Sequence, residues 1–352
     1  MRRLGRELIS EGKIACLVAA GGQGTRLGFK GPKGGYPISV IRNKTLFELL
    51  AEKVLAASEQ AKRALLLAVM VSKENSKESR KLLEPLLPKE QLFIFEQEDL
   101  PFLDEEGNEF EVKKGKRAQG PDGNGYALHN LVNSGIYQSW EKKGVEIVNF
   151  ILIDNPLADP FDPELAGHLA ATKADAAIKC VERESPDEKV GVVVSKGKKV
   201  SVIEYSELQD NKEHTLANLS LFAFSMKFIK RVAKKELPLH IARKKTIRKG
   251  KEVIAQKQER FIFDVLPFSK KTIVLVYPRE LCFAPLKSKE GANGPKQVKR
   301  ALQKLDRITF EKLTGVAAPK KPFELSQRFY YPTKSLLTKW RGKKGGPGYI
   351  EA

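Results

Sequence analysis

The chain has 352 residues, 41% hydrophobic and 30% charged, which suffices for one large α/β core or two smaller ones and excludes disorder throughout. No apolar run approaches the roughly 20 residues that cross a bilayer, the start lacks a signal-peptide core, and Cys16, Cys180 and Cys282 lie too far apart for a disulfide framework or a metal-ligand spacing, so a reducing cytoplasm is the expected setting and no membrane partner is expected. The 63 basic and 43 acidic residues give a net charge of +20, which suits nucleic acid or a small phosphorylated substrate, but 16 basic and only 5 acidic residues follow residue 286, so over half the excess belongs to the C-terminal fifth.

Residues 14–20 form a short apolar run that stops at a glycine cluster, the pattern of a buried parallel strand feeding a phosphate-binding turn. Residues 45–57 carry Leu46, Leu49, Leu50, Val54 and Leu55 at helical spacing. A second buried strand spans 65–71, and Ser72 is placed to cap a helix through Leu87. Residues 92–95 read as a third strand, 125–143 as a helix, and 147–153 as a fourth strand ending at Asp154-Asn155. This alternation predicts a doubly wound, mostly parallel α/β sheet. Beyond Asp159 the strands become closely spaced: 174–181, then 190–195 and 199–204 joined as a hairpin through Lys196-Gly197-Lys198, then 217–225. They predict an antiparallel extension. A helix is expected over 228–235, a strand over 272–277 and a basic helix over 296–304. The remainder, with Ala317-Ala-Pro-Lys-Lys-Pro322 and Arg341-Gly-Lys-Lys-Gly-Gly-Pro347, breaks too often to be core. The predicted organisation is a catalytic domain over 1–302, with halves at about 14–160 and 161–302, and a short basic tail over 303–352.

The strongest chemical signal is Leu17-Val-Ala-Ala-Gly-Gly-Gln-Gly-Thr-Arg-Leu-Gly28, followed by Pro32-Lys33. Gly21, Gly22 and Gly24 at a strand end allow the backbone to approach an anion and turn successive amides toward it. The ATPase phosphate loop G-x-x-x-x-G-K-[ST] is absent, and Gly22, Gly24 and Gly28 are spaced G-x-G-x-x-x-G rather than as a dinucleotide fingerprint. Glycines alone also suit a structural turn. Arg26 and Lys33 beside them favour a phosphate site, because two fixed cations hold a triphosphate.

The stretch 19–33 resembles the signature of nucleotide-sugar pyrophosphorylases, and Lys33-Gly-Gly-Tyr-Pro37 with Lys44-Thr-Leu-Phe47 resembles the eukaryotic-type UDP-N-acetylhexosamine pyrophosphorylases. Phe95-Glu-Gln-Glu-Asp-Leu-Pro101, Pro121-Asp-Gly-Asn-Gly125, Asp154-Asn155, Val190-Gly-Val-Val193, Val202-Ile-Glu-Tyr-Ser-Glu207, Ala217-Asn-Leu219, Phe261-Ile-Phe-Asp264 and Pro285-Leu-Lys287 follow in the family's order. The resemblance covers about 14–302 and implies a Rossmann-like, GT-A-like nucleotidyltransferase fold. The implied reaction joins UTP and a sugar 1-phosphate into UDP-sugar and pyrophosphate, reversibly, with N-acetylglucosamine 1-phosphate as the sugar substrate and a glucose-type uridylyltransferase as the alternative. An ionised sugar-phosphate oxygen attacks the α-phosphorus in line, so positioning and charge neutralisation replace a general base.

By the same resemblance, Arg26, Lys33 and Lys287 are the catalytic cations. Gly21, Gly22, Gly24 and Thr25 hold the nucleotide, and Gln97 and Gly123 read uracil. Asn124, Gly191, Glu204 and Asn218 bind the sugar, and Tyr205, Phe261 and Phe263 wall the acetamido methyl. Phe261 and Phe263 around Ile262 also suit core positions on one face of a strand. Asp154 is implied to hold Mg²⁺, a hard carboxylate at the mouth of the crevice, although Asp154-Asn155 alone favours an aspartate capping the next turn. Four histidines, His129, His168, His214 and His240, fall in no catalytic pairing. The short flanks suggest a compact, bacterial form supplying nucleotide sugar to the cell envelope. The loop 104–119 reads as a solvated connection. Lys296 to Lys304 and the aromatics near Lys339-Trp-Arg341 also offer a nucleic-acid surface, but no recognition motif accompanies them, and nucleic acid is not expected as the main partner. Removal of the tail after Ala317 is expected to spare catalysis.

Overall fold

The computed structural model describes residues 1–197, 199–208, 215–248 and 251–352. Strand Ile14–Ala19 lies between Leu67–Val71 and Ile147–Leu152, parallel to both, and Leu92–Glu96 extends the parallel set beyond Leu67–Val71. Side chains alternate with the two-residue period of a strand. Cys16, Val18, Val69 and Ile151 enter the core on one face, and Leu17, Ala68, Met70 and Phe150 enter the core on the other. Burial on both faces is why these strands read as unbroken apolar runs. The chain steps from one side of Ile14–Ala19 to the other when it reaches Ile147–Leu152, and the crevice expected at such a switch point lies beyond the carboxyl ends of these two strands.

The antiparallel extension is present. Leu216–Ser225 runs antiparallel to Ile147–Leu152, to Ala176–Glu182 and, at Ala217, to Val192–Lys196. Val192–Lys196 pairs with Lys199–Ile203 as the expected hairpin, of which Lys198 lies outside the described residues. Thr272–Val276 joins parallel to Ala176–Glu182, completing nine strands.

Several local expectations are corrected. The helix after residue 72 runs only Ser76–Leu83, because Ser72 and Asn75 close a turn on each other: Ser72 N donates to Asn75 Oδ1 (3.0 Å) and Asn75 N to Ser72 Oγ (3.3 Å). Pro85 then restricts the residue before it. The helix expected over 125–143 is two, Ala127–Asn133 and Ile136–Lys142, divided where Gly135 takes φ 80°. Helix Leu46–Ala61 begins in the capping box Thr45–Glu48, with Glu48 N on Thr45 Oγ1 (3.1 Å) and Thr45 N on Glu48 Oε2 (2.7 Å). An unforeseen helix, Pro163–Thr172, is capped by Asp162. The loop 104–119 is not simply solvated: Phe102, Phe110 and Ala118 pack with Ala255 of a second unforeseen element, the hairpin His240–Arg248 and Lys251–Glu259.

The largest correction concerns the C-terminus. The boundary at 302 falls inside one helix, Pro295–Thr314, and Phe310, Phe323, Leu325, Phe329, Leu336 and Ile350 form a core of their own. The parallel pair Phe323–Leu325 and Gly348–Ile350 supports it. This unit grips the catalytic domain behind the glycine loop. Glu324 Oε2 accepts from Ile41 N (2.6 Å) and Arg42 N (3.0 Å), Lys44 Nζ donates to Tyr349 OH (3.0 Å), and Tyr331 OH donates to partly buried Asp159 (2.5 Å). Frequent Gly and Pro hid a small core built by the end of one helix and several short segments after it. Lys296, Arg300 and Lys304 are exposed on one helix face, as a solvated charge stripe should be.

Candidate active site

The glycine loop leaves Ile14–Ala19 at the crevice and closes on itself, with Lys33 N donating to Gly22 O (3.0 Å) and Gly24 N to Gly31 O (2.9 Å). The amides of Gly21 and Gly22 take no partner among the described residues, as an anion-binding turn requires. Thr25 and Arg26 are exposed on the short turn Thr25–Leu27. Gly34, next to Lys33, lies against the ring of buried Phe47, 2.2 Å from where a Cβ would stand. Lys33 is thereby fixed against the start of helix Leu46–Ala61. Buried Gln97 follows strand Leu92–Glu96, its backbone N on Val71 O (2.8 Å), and its side-chain oxygen would lie 2.8 Å from a Cβ on Gly21. Gly123 takes φ +90° with Arg260 O only 2.3 Å from its Cβ position. A side chain there would clash with backbone, so the position presents bare main chain.

Lys33 Nζ meets Asp154 Oδ2 at 3.3 Å, both side chains largely buried. The cap role considered for Asp154-Asn155 falls to Asn155, whose Oδ1 accepts from Leu157 N (3.3 Å) and Ala284 N (3.1 Å) and whose Nδ2 donates to Cys282 O (2.8 Å). Leu286 N adds a bond to Asp154 O (2.7 Å). These bonds stitch the segment before Lys287 to the end of Ile147–Leu152 and leave the Asp154 carboxylate to Lys33.

On the other side, Asn218 N donates to Gly191 O (2.8 Å) at a bulge in Leu216–Ser225. The Glu204 carboxylate lies beside Gly191, 3.4 Å from its Cβ position. Burial pushes the Glu204 carboxyl up, and the nearby charge of Lys287 partly offsets the rise, so Lys287 stands between the phosphate and sugar sides. Asn124 Oδ1 accepts from Ile262 N (2.9 Å). The rings of Phe261 and Phe263 do not alternate along a strand: Phe261 caps the 3₁₀ segment Ile262–Phe268, and the two stack at 5.1 Å and 22°. Tyr205 is 42% exposed.

The sequence reading passed over three groups here. Asp122, 1% exposed, faces Arg260 at 3.7 Å, and burial pushes its carboxyl up to about 6. Arg260 in turn covers the Tyr126 ring at 4.4 Å. Asn155 was visible only as the neighbour of Asp154 in its motif. His240 touches Glu207, Asp264 and Phe261; its partners are distant in sequence and its hairpin was unforeseen. His214 lies outside the described residues.

The model of the UTP–glucose-1-phosphate uridylyltransferase family matches residues 5–292. A Dictyostelium discoideum protein named "Probable UDP-N-acetylglucosamine pyrophosphorylase" is 32% identical over 87% of this chain and 71% of its own length. UDP-N-acetylglucosamine diphosphorylase 2 of Arabidopsis thaliana is 30% identical over 83% of this chain, and the match spans 64% of that protein, just under two thirds. The crystal structure of the uridine diphosphate N-acetylglucosamine pyrophosphorylase from Trypanosoma brucei, in complex with an inhibitor, superposes with a TM-score of 0.83 at 25% identity, covering 100% of this chain and 81% of that one. With the family model spanning most of the chain and a relative at 32% identity over 71% of its own length, the chain belongs to the family of UDP-N-acetylglucosamine pyrophosphorylases and related UTP–sugar-1-phosphate uridylyltransferases.

Proposed function

We propose that the protein transfers the uridylyl group of UTP to N-acetylglucosamine 1-phosphate, releasing pyrophosphate, and runs the reverse reaction on the same site. The observation that carries this reading is the convergence at the crevice mouth of Lys33, on Asp154 at 3.3 Å, with the segment bearing Lys287, tied to Asn155. An ionised phosphate oxygen of the sugar 1-phosphate forms the new bond to the α-phosphorus as the bond to pyrophosphate breaks. No proton has to be removed, so fixed cations are sufficient. Lys33 and Arg26 neutralise the triphosphate and the leaving pyrophosphate, and Lys287 holds the phosphate that joins the sugar. Gln97 and the backbone of Gly123 present hydrogen-bonding groups for the uracil edge.

Asp154 would hold Mg²⁺, which supplies charge neutralisation at phosphate oxygens. The donor chemistry fits such an ion: the Asp154 carboxylate stands at the end of strand Ile147–Leu152 beside Lys33, and Mg²⁺ takes one hard carboxylate oxygen readily when phosphates and water complete its shell. Asp154→Asn should therefore shift the Mg²⁺ dependence of the rate.

A glucose-type reaction is the second reading, favoured by the description of the matching family model. A panel of sugar 1-phosphates with UTP, Mg²⁺ and pyrophosphatase, followed by phosphate release, separates the two. If Phe261 and Phe263 wall the acetamido methyl, N-acetylglucosamine 1-phosphate should exceed glucose 1-phosphate in kcat/KM by roughly 10 to 200-fold, the discrimination one buried methyl affords. Phe263→Gly should lower that ratio or admit larger N-acyl groups. Equal use of glucose 1-phosphate by the wild type, with Phe263→Gly changing only stability, would make the rings core residues and the enzyme a glucose-type uridylyltransferase.

A further inference from the structure

His240 opens the hairpin His240–Arg248 and Lys251–Glu259, an element outside the sheet, yet its ring sits where two parts of the sugar side meet. Nδ1 lies 2.7 Å from Glu207 Oε1 and Nε2 lies 2.9 Å from Asp264 Oδ2. Glu207 ends the turn Tyr205–Glu207, its N on Glu204 O at 2.9 Å. Asp264 belongs to the first turn of Ile262–Phe268, its N on Phe261 O at 3.1 Å. The imidazole also packs 4.9 Å from the ring of Phe261 and 6.0 Å from that of Phe263. A neutral imidazole donates from one nitrogen only, whereas ionised carboxylates can only accept. Donation to both therefore requires the imidazolium.

We propose that His240 is a positioning residue for sugar specificity: its imidazolium bridges Glu207 and Asp264, and so fixes the Glu204–Tyr205 turn and the Phe261–Phe263 stack at the spacing that accepts an N-acetyl sugar. The proposal rests on the assignment of those residues to the sugar, but the bridge itself is a property of the ligand-free protein. The surroundings favour the cation. Glu207 and Asp264 contact the ring, Glu259 is its ladder partner on the facing strand, and Glu204 lies close enough to feel its charge. The cations nearby are committed elsewhere, Lys257 to Glu259 at 2.6 Å and Lys287 beside Glu204. Burial lowers the His240 pKa, and the bonds to Glu207 and Asp264 more than reverse this, so it ends above its ordinary value. A raised histidine pKa means the bridge is complete at low pH and is lost as pH rises through that value.

The test pairs kinetics with NMR titration on the full chain. His240→Ala and His240→Phe, the second keeping a ring against Phe261, should each raise KM for N-acetylglucosamine 1-phosphate about 10-fold while KM for UTP and kcat move less than 2-fold. The rise in wild-type KM for the sugar at alkaline pH should be flat in both. His240→Phe guards against misfolding of the Ala variant, and both are compared with the wild type by thermal melting. In ligand-free wild type, the His240 ring signal, assigned by its loss in the variants, should titrate above about 6.5, the unperturbed histidine value. Titration at or below that value overturns the bridge whatever the enzyme's substrate. Unchanged KM for the sugar, or equal losses in UTP and sugar parameters, overturns the specificity role. If the wild type turns over no sugar 1-phosphate, the functional reading fails separately, and the NMR result still decides the bridge.

Discussion

On the side proposed for the nucleotide, the candidate binding groups are main chain held in short turns: the amides of Gly21 and Gly22, which take no partner among the described residues, and Gly123 pressed against Arg260 O. On the side proposed for the sugar they are side chains delivered by separate segments, with Glu204, Asn218, Phe261 and Phe263 brought together by an antiparallel sheet, a bulge and a 3₁₀ turn. The first arrangement is specified almost locally, since Gly21 and Gly123 stand where a Cβ would strike a neighbour. The second depends on tertiary packing, so the sugar preference can be retuned without disturbing phosphate chemistry. The two sides should accordingly respond differently to substitution.

The largest effect is expected at Lys33. Lys33→Ala removes the cation aimed at the phosphates while leaving Phe47 packed against Gly34, so turnover should fall roughly 100-fold or more, the scale seen when one preorganised charge-stabilising donor is removed. Arg26→Ala, exposed on its turn, should lower turnover with even less effect on folding. Steady-state pyrophosphate release beside a thermal melt checks both. Normal turnover in Lys33→Ala would dismiss the phosphate assignment.

The same contrast explains what could be read in advance. The glycine loop, the parallel strands and the crevice were legible because local sequence determines them: an unbroken apolar run, a glycine cluster, a carboxylate at a strand end. The paired strands at 192–203 were legible too, as alternation around a turn. The hairpin beginning at His240 was not, because Ile241, Ile247 and Ile254 are exposed and, among its described residues, only Ala255 is buried, against Phe102 and Phe110 from far upstream. Its apolar pattern carries no inside and outside until the loop near 104–119 is folded onto it. Asn124 was assigned to the sugar, while the structure also gives it the task of holding Ile262 N, a bond between residues 138 positions apart that no motif announces.

The C-terminal unit sharpens the comparison, because it buttresses the segment just downstream of Lys33. Through Glu324 it holds Ile41 N and Arg42 N, downstream of Lys33, and its core contains Phe323, Leu325, Phe329 and Ile350. Each large apolar side chain that loses burial costs about 1.5 to 3 kcal/mol, and several together rival the whole stability of a domain. Truncation after Ala317 is thus expected to lower the melting temperature by more than about 10 °C or abolish soluble expression. A milder probe is Glu324→Ala, which leaves two backbone donors without their partner and should cost about 1 to 2 kcal/mol, with KM for UTP rising more than KM for the sugar. A truncated chain with unchanged melting and activity would restore the view of 318–352 as a dispensable basic tail.

The smallest expected effect lies where the two sides share a buried charge. Asp122 precedes Gly123, and Arg260, which faces it at 3.7 Å, precedes Phe261; Arg260 N also donates to Asp122 O (2.7 Å). Burial outweighs the attraction of Arg260 and raises the Asp122 carboxyl to about 6, above the value near 3.9 of an unfolded aspartate. Between these values the folded chain binds the proton and the unfolded chain does not, so this group's contribution falls as pH rises from about 4 to about 6 and is constant above. Asp122→Asn cannot titrate. Measured by urea unfolding at pH 4.5 and 7.5, the stability of wild type minus that of Asp122→Asn should become less favourable to the wild type at the higher pH, on the order of 1 to 2 kcal/mol. A difference moving the other way would mean that Arg260 dominates and holds the carboxylate ionised, making the joint between the nucleotide and sugar sides an ordinary ion pair.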